Sequence, residues 1–181
     1  MNKSIFILFL FISGLSFSQK EGQNFCKGIE DGSYFPLDIK KKKIFWYDTY
    51  YFEEQLGTKE RNGKTYLEYK QTWKDGSVDL MYLREADSKV LEYEEGLDQE
   101  TTRYGLQFEE GYSWRRSDKT AVYTILSYEG KLKTPYCAYD KLLVIEAKFK
   151  SVTYEFYYLK GLGYIGATQN DTLVSYITPE M

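Results

Sequence analysis

Paired acids come first, because two carboxylates flanking a bond can hydrolyse it. Glu53-Glu54, Glu94-Glu95 and Glu109-Glu110 are such pairs. Neighbours in a strand point to opposite faces, so no pair can act as a glycosidase couple by itself. Only members of different pairs meeting across a cleft could do so. The chain has no histidine, which removes Ser-His-Asp and Cys-His nucleophiles and every histidine-containing zinc site. A Walker-type phosphate loop and a dinucleotide fingerprint are also missing. No catalytic residue, metal or cofactor is expected, and a carboxylate-based glycan hydrolase is the third of three readings.

Binding chemistry is better supplied. Glu92, Glu94, Glu95 and Asp98, with Glu100, form an acidic stretch that could hold a basic protein partner. Its spacing lacks the regular ligand positions and central glycine of an EF-hand, so a charged loop is expected rather than a calcium site. Lys40–Lys43 is the one basic run. It reads as a solvated turn guarding the aggregation-prone Ile44-Phe45-Trp46-Tyr47, with anionic glycans or an acidic partner as the functional alternative. Nineteen tyrosines, eleven phenylalanines and three tryptophans leave aromatic rings available for stacking. Trp73, Trp114, Tyr50 and Tyr82 are the candidates to contact a glycan or lipid-like ligand. A formal net charge of −3 argues against nucleic acid, whose binders carry a basic excess.

The elements that must position these residues are strands. Aromatic and β-branched residues fit a pleated surface, and only three prolines interrupt the long extended runs. Turn signals recur at hairpin spacing: Asn62-Gly63, Asp75-Gly76, Asp87-Ser88, Glu129-Gly130, Lys150-Ser151 and Asn170-Asp171. Leu143, Ile145, Ala147 and Phe149 alternate with Leu142, Val144, Glu146 and Lys148, which predicts a strand buried on both faces at one end. Residues 94–105 are expected to be the most irregular stretch. The fold class is all-β: one antiparallel, strongly curled sheet of about nine to eleven strands, shaped as an open barrel or folded as a sandwich.

Residues 1–18 read as a cleaved secretory signal peptide, expected as a helix. Lys3 precedes the apolar core Ile5–Ile12, and Ser16 and Ser18 stand before the cut. Residues 19–33 form an N-terminal segment and 34–181 a single β domain. After the leader no stretch is apolar enough to span a membrane. Cys26 lies too far from the cut to accept lipid, so the expected location is soluble in the periplasm or outside the cell. In that oxidising setting a lone pair, Cys26 and Cys137, is expected to form a disulfide.

Two sets of motifs echo one another: Phe35-Pro36-Leu37 before Trp46, and Leu106-Gln107-Phe108 before Gly111 and Trp114. They suggest two half-sheets built alike. Tyr34-Phe35-Pro36-Leu37, Trp46-Tyr47, Gly63-Lys64-Thr65-Tyr66, Gly111-Tyr112-Ser113-Trp114 and Phe156–Ile165 together resemble exported bacterial domains of the TapB-like type. The resemblance covers about Tyr34 to Ile177. It implies an exported, tyrosine-rich β domain with no assigned reaction and brings no site residues. The favoured expectation is a non-enzymatic exported module that binds a lipid-like molecule, a glycan or a protein. An inhibitor or immunity-type protein acting through Glu92–Glu100 is the alternative.

Overall fold

The structure, a computed structural model, describes residues 24–179, so the expected leader lies outside them. The described chain forms twelve strands and no helix: β1 (Lys41–Trp46), β2 (Thr49–Arg61), β3 (Lys64–Trp73), β4 (Val78–Ala86), β5 (Lys89–Glu94), β6 (Gln99–Gly105), β7 (Ser113–Arg115), β8 (Ala121–Lys133), β9 (Ala138–Phe149), β10 (Thr153–Leu159), β11 (Gly163–Gln169) and β12 (Thr172–Thr178). All pairings are antiparallel, in the order β6-β5-β4-β3-β2-β1-β12-β11-β10-β9-β8-β7. Two six-strand meanders are thus joined by their first and last strands, with Ile44 opposite Ile177 and Trp46 opposite Ser175. The motif echo falls just before each half, ahead of β1 and ahead of β7.

The two edge strands, β6 and β7, follow one another in sequence and meet through side chains. Trp114 Nε1 donates to the Thr102 carbonyl at 2.9 Å and the Ser117 N–H to Thr101 Oγ1 at 3.0 Å. The sheet is therefore a nearly closed up-and-down barrel, with a polar and aromatic seam where a ladder would complete it.

Twelve strands exceed the expected nine to eleven for identifiable reasons. Residues 45–52 contain no glycine or proline to mark a turn, yet they break at Tyr47, which turns to φ 52° and separates β1 from β2. The stretch expected to be irregular contains β6. Glu129-Gly130 is a bulged part of β8, not a turn. A Cβ on Gly130 would clash with Val144 Cγ2 and lie 3.0 Å from the Leu142 carbonyl oxygen, so glycine there lets β8 approach β9 closely. Other turns form as read: Asn62-Gly63, Asp87-Ser88 and Asn170-Asp171 all take the positive φ that two-residue hairpin loops need. Leu142, Leu143, Val144 and Ile145 are all buried, so β9 is covered on both faces at that end.

One mouth of the barrel is plugged by the chain before β1. Phe35 stacks between Tyr104 and Tyr158, with ring centroids 4.7 and 4.4 Å away. The Leu37 carbonyl accepts from Tyr69 Oη at 2.7 Å. Gly32 crosses the β10–β11 turn so closely that a Cβ would lie 2.6 Å from the Gly161 nitrogen. A disulfide from Cys26 to Cys137, with Cα atoms 5.5 Å apart, ties this segment to the β8–β9 connection. It closes a loop of 111 residues, long enough for the chain-entropy contribution to be large. Reduction, or the Cys26→Ala/Cys137→Ala double variant, is expected to lower stability by about 2–5 kcal/mol. Urea unfolding with and without reductant measures this, and coincident curves would refute it.

Candidate functional site

Inward-facing positions follow from the ladder. Lys42, Ile44 and Trp46 alternate along β1, and their partners on β2 are Glu53, Tyr51 and Thr49. Gln71 on β3 faces Glu53, while Tyr158 on β10 faces Leu143 on β9 and Tyr164 on β11. Lys42, Ile44, Trp46, Tyr51, Glu53, Gln71, Tyr158 and Tyr164 line a cavity of about 300 Å³ inside the barrel. Residues Tyr34, Phe35, Pro36, Leu37 and Ile39 form its floor, and Trp46, Phe149 and Phe156 line it toward the opposite end. An eight-stranded barrel is just filled by its own side chains, and diameter grows with strand number. Twelve strands leave a space that plug and aromatic rings fill only in part.

The cavity is aromatic with one ionic wall. Arg103 pairs with Glu92 at 3.1 Å, and Arg116 makes a fork of bonds to Glu94 at 2.7 and 2.6 Å. Glu92 raises the pKa of Arg103 beyond its usual value, so this cation stays charged. Gln71 Nε2 donates to Glu53 at 2.9 Å. Lys42, 9 % exposed, lies directly across the ladder from Glu53. Its ammonium makes no hydrogen bond or ion pair with any described residue, and burial lowers its pKa while Glu53 opposes the shift. The hydroxyls of Tyr51, Tyr123 and Tyr158 and the Trp46 indole N–H also lack partners among the described residues, and none of these atoms is fully occluded. Burial pushes the Tyr158 phenol up to about 12, so it is a neutral donor at any physiological pH. Donors left open in a largely aromatic space of this volume are what a small polar-tipped ligand would satisfy.

The four aromatics singled out from sequence are not brought together. Tyr50 sits on the outer face beside Phe45 and Phe52, each 5.7 Å away, with Lys43 Nζ 5.0 Å over its ring. Trp73 packs on Tyr51 at 4.7 Å and donates to Asp79. Trp114 belongs to the β6–β7 seam. Tyr82 is buried, covered by the Arg61 guanidinium at 4.6 Å. Sequence reasoning passed over Arg103 and Tyr158, and met Glu53, Lys42 and Tyr51 only as members of an acid pair, a basic run and an aromatic run. Lys40–Lys43, expected as a solvated turn, is mostly strand, and Lys42 points inward. The available signal was parity: Lys42 is two residues from Ile44 and four from Trp46.

Every member of the acidic stretch has an internal partner. Glu92 and Glu94 hold Arg103 and Arg116; Glu95 accepts from Arg61 at 2.8 Å; Asp98 accepts from Asn62 at 2.7 Å and from Tyr93. Glu100 accepts from Tyr66 Oη at 2.6 Å, Lys64 Nζ at 2.8 Å and the Arg84 guanidinium. Together these contacts pin the β2–β3 turn onto the outer face of β4–β6, burying Tyr66 and Tyr82.

Sequence and structure comparisons offer no relative. The chain matches no family model, no curated protein and no solved structure. Its function has to be argued from its own geometry.

The Glu100 network carries a pH signature. Its bonds, the Arg84 one foremost, pull the carboxyl from 4.5 down to about 2. A depressed acid contributes stability that is complete above the unfolded pKa and lost as pH falls through the folded one. Wild-type stability is expected to drop between pH 4.5 and 2, and Glu100→Gln to be less stable at pH 7 with a shallower acid slope. Thermal melts across that range check it, and identical slopes would exclude the network as the cause.

Proposed function

We propose that the protein is an exported, non-enzymatic binding module that holds one small ligand inside the barrel. The observation carrying this is the interior cavity whose lining combines aromatic faces with polar tips that have no hydrogen-bond partner among the described residues: Lys42 Nζ and the hydroxyls of Tyr51, Tyr123 and Tyr158. Its volume sits at the lower end of the range for small-molecule sites, about 300–1,000 Å³. That favours a compact ring-bearing molecule over a long acyl chain. Export is supported by the leader pattern of residues 1–18, by the disulfide and by the resemblance to TapB-like domains. Among the described residues no helix is long and apolar enough to cross a membrane. The internal pairing of Glu92 to Glu100 weighs against an inhibitor that would use these acids to grip a basic enzyme.

Trp46 provides the reporter, because its ring lines the cavity. Titration with small aromatic probes is expected to quench protein fluorescence saturably, with the quenching lost in Trp46→Phe. Leu83→Trp, which inserts a large ring into the cavity wall, is expected to weaken binding at least tenfold while the fold is kept. Probes that bind Leu83→Trp as well as the wild type would place the site elsewhere.

A further inference from the structure

Lys42 is the group least explained by packing. A buried ammonium is costly unless paired, yet this one has no hydrogen bond or ion pair among the described residues. Its position is built: a Cβ on Gly163 would lie 3.1 Å from Lys42 Nζ and 3.2 Å from Pro36 Cδ, and Gly163 has φ +78°. Glycine therefore leaves room for the amine above the floor of the cavity. Burial also favours the neutral amine, the form that has a lone pair to share. Two ligand chemistries suit a lysine in such a place, an acid and a carbonyl. Glu53 decides between them, because the other two cations lining the cavity, Arg103 and Arg116, are already held by Glu92 and Glu94. It faces Lys42 across one rung of the ladder and lines the same cavity, so a carboxylate ligand drawn to Lys42 would sit against a like charge. A neutral carbonyl compound meets no such repulsion.

Resting on the reading of the cavity as the ligand site, we propose that Lys42 binds an aldehyde or ketone covalently as a Schiff base, with Glu53 as the counter-ion. The neutral Nζ lone pair attacks the carbonyl carbon, and proton transfer from nitrogen to oxygen gives a carbinolamine. Loss of that oxygen as water forms the C=N bond, so one water leaves for each ligand bound. No electron is gained or lost. Protonation of the imine nitrogen creates a cation beside Glu53, which Gln71 holds in place at 2.9 Å. The aromatic walls formed by Trp46, Phe156 and Tyr158 suit a conjugated, flat ligand body.

The test uses the protein with one equivalent of 4-(dimethylamino)cinnamaldehyde, a neutral conjugated aldehyde whose protonated imine absorbs to the red of the free compound. The expected result is a red-shifted band, and, after reduction with cyanoborohydride, a single secondary-amine adduct at Lys42 by peptide mapping. Lys42→Met should lose both. Glu53→Gln should keep the adduct but lower the pKa of the iminium, read as loss of the red band at a lower pH than in the wild type. Adducts spread over surface lysines with Lys42 unmodified would overturn the proposal. If the aldehyde quenches Trp46 saturably but no Lys42 adduct forms, the covalent step fails and the binding reading stands. If it neither quenches nor reacts while the other aromatic probes quench Trp46, the covalent proposal alone fails. If no probe quenches, both fail.

Discussion

The pairing of β1 with β12 is the constraint on which the rest depends. Each meander alone is a curled sheet with one face to cover. Joining Ile44 to Ile177 and Trp46 to Ser175 turns two such sheets into one wall around a shared interior. The partners lie more than a hundred residues apart, so the contact is made only after the entropy of a long loop closure has been met. Hydrogen bonds of this ladder also set the height of Lys42 against Glu53. A one-residue slip would turn both outward and place Lys41 and Glu54 inside.

Closure at the other side is of a different kind. Where β6 and β7 meet, indole, hydroxyl and guanidinium groups replace backbone pairing. Such a seam covers part of an edge, the Thr102 carbonyl included, that would otherwise invite another chain. Arg116 links the seam to the cavity, since its guanidinium is held by Glu94 and also lines the interior space. The plug at one mouth is fixed in a similar way: Phe35 covers the Tyr104 and Tyr158 rings, and the disulfide ties the segment to the β8–β9 connection.

Much of the architecture was legible because hairpins are local. Asn62-Gly63 and Asn170-Asp171 announce positive φ in residue types that tolerate it, and the alternation in β9 exposes its double burial. Tyr47 gave no such notice, since a tyrosine at φ 52° is held there by its surroundings and by nothing in its own chemistry. The site was less legible for a related reason. Four consecutive lysines look solvated when read as composition, and only the register of β1 against β2 and β12 turns one of them inward. Glu92 to Glu100 look like a free acidic surface until Arg61, Arg84, Arg103 and Arg116 arrive from four other places in the chain. Charge partners of that sort are set by tertiary proximity, which no local pattern encodes.

Tyrosine is what makes a barrel this wide workable. Phenylalanine would fill space and leave no handle for the polar wall; shorter polar residues would leave a void. A ring with a hydroxyl at its far end can span from one strand toward the centre, cover its neighbours and still present a donor there. Tyr51, Tyr123 and Tyr158 do this around Arg103 and Lys42, while Tyr164 turns its hydroxyl back to Ser175 at 2.7 Å and becomes part of the wall. Burial raises the pKa of all four, so none adds negative charge to the interior. The charged groups there are consequently Glu53, Glu92 and Glu94 against Lys42, Arg103 and Arg116. Arg103 and Arg116 are matched by direct bonds to Glu92 and Glu94, and what remains is one amine and one carboxylate that face each other across the ladder with no ion pair between them.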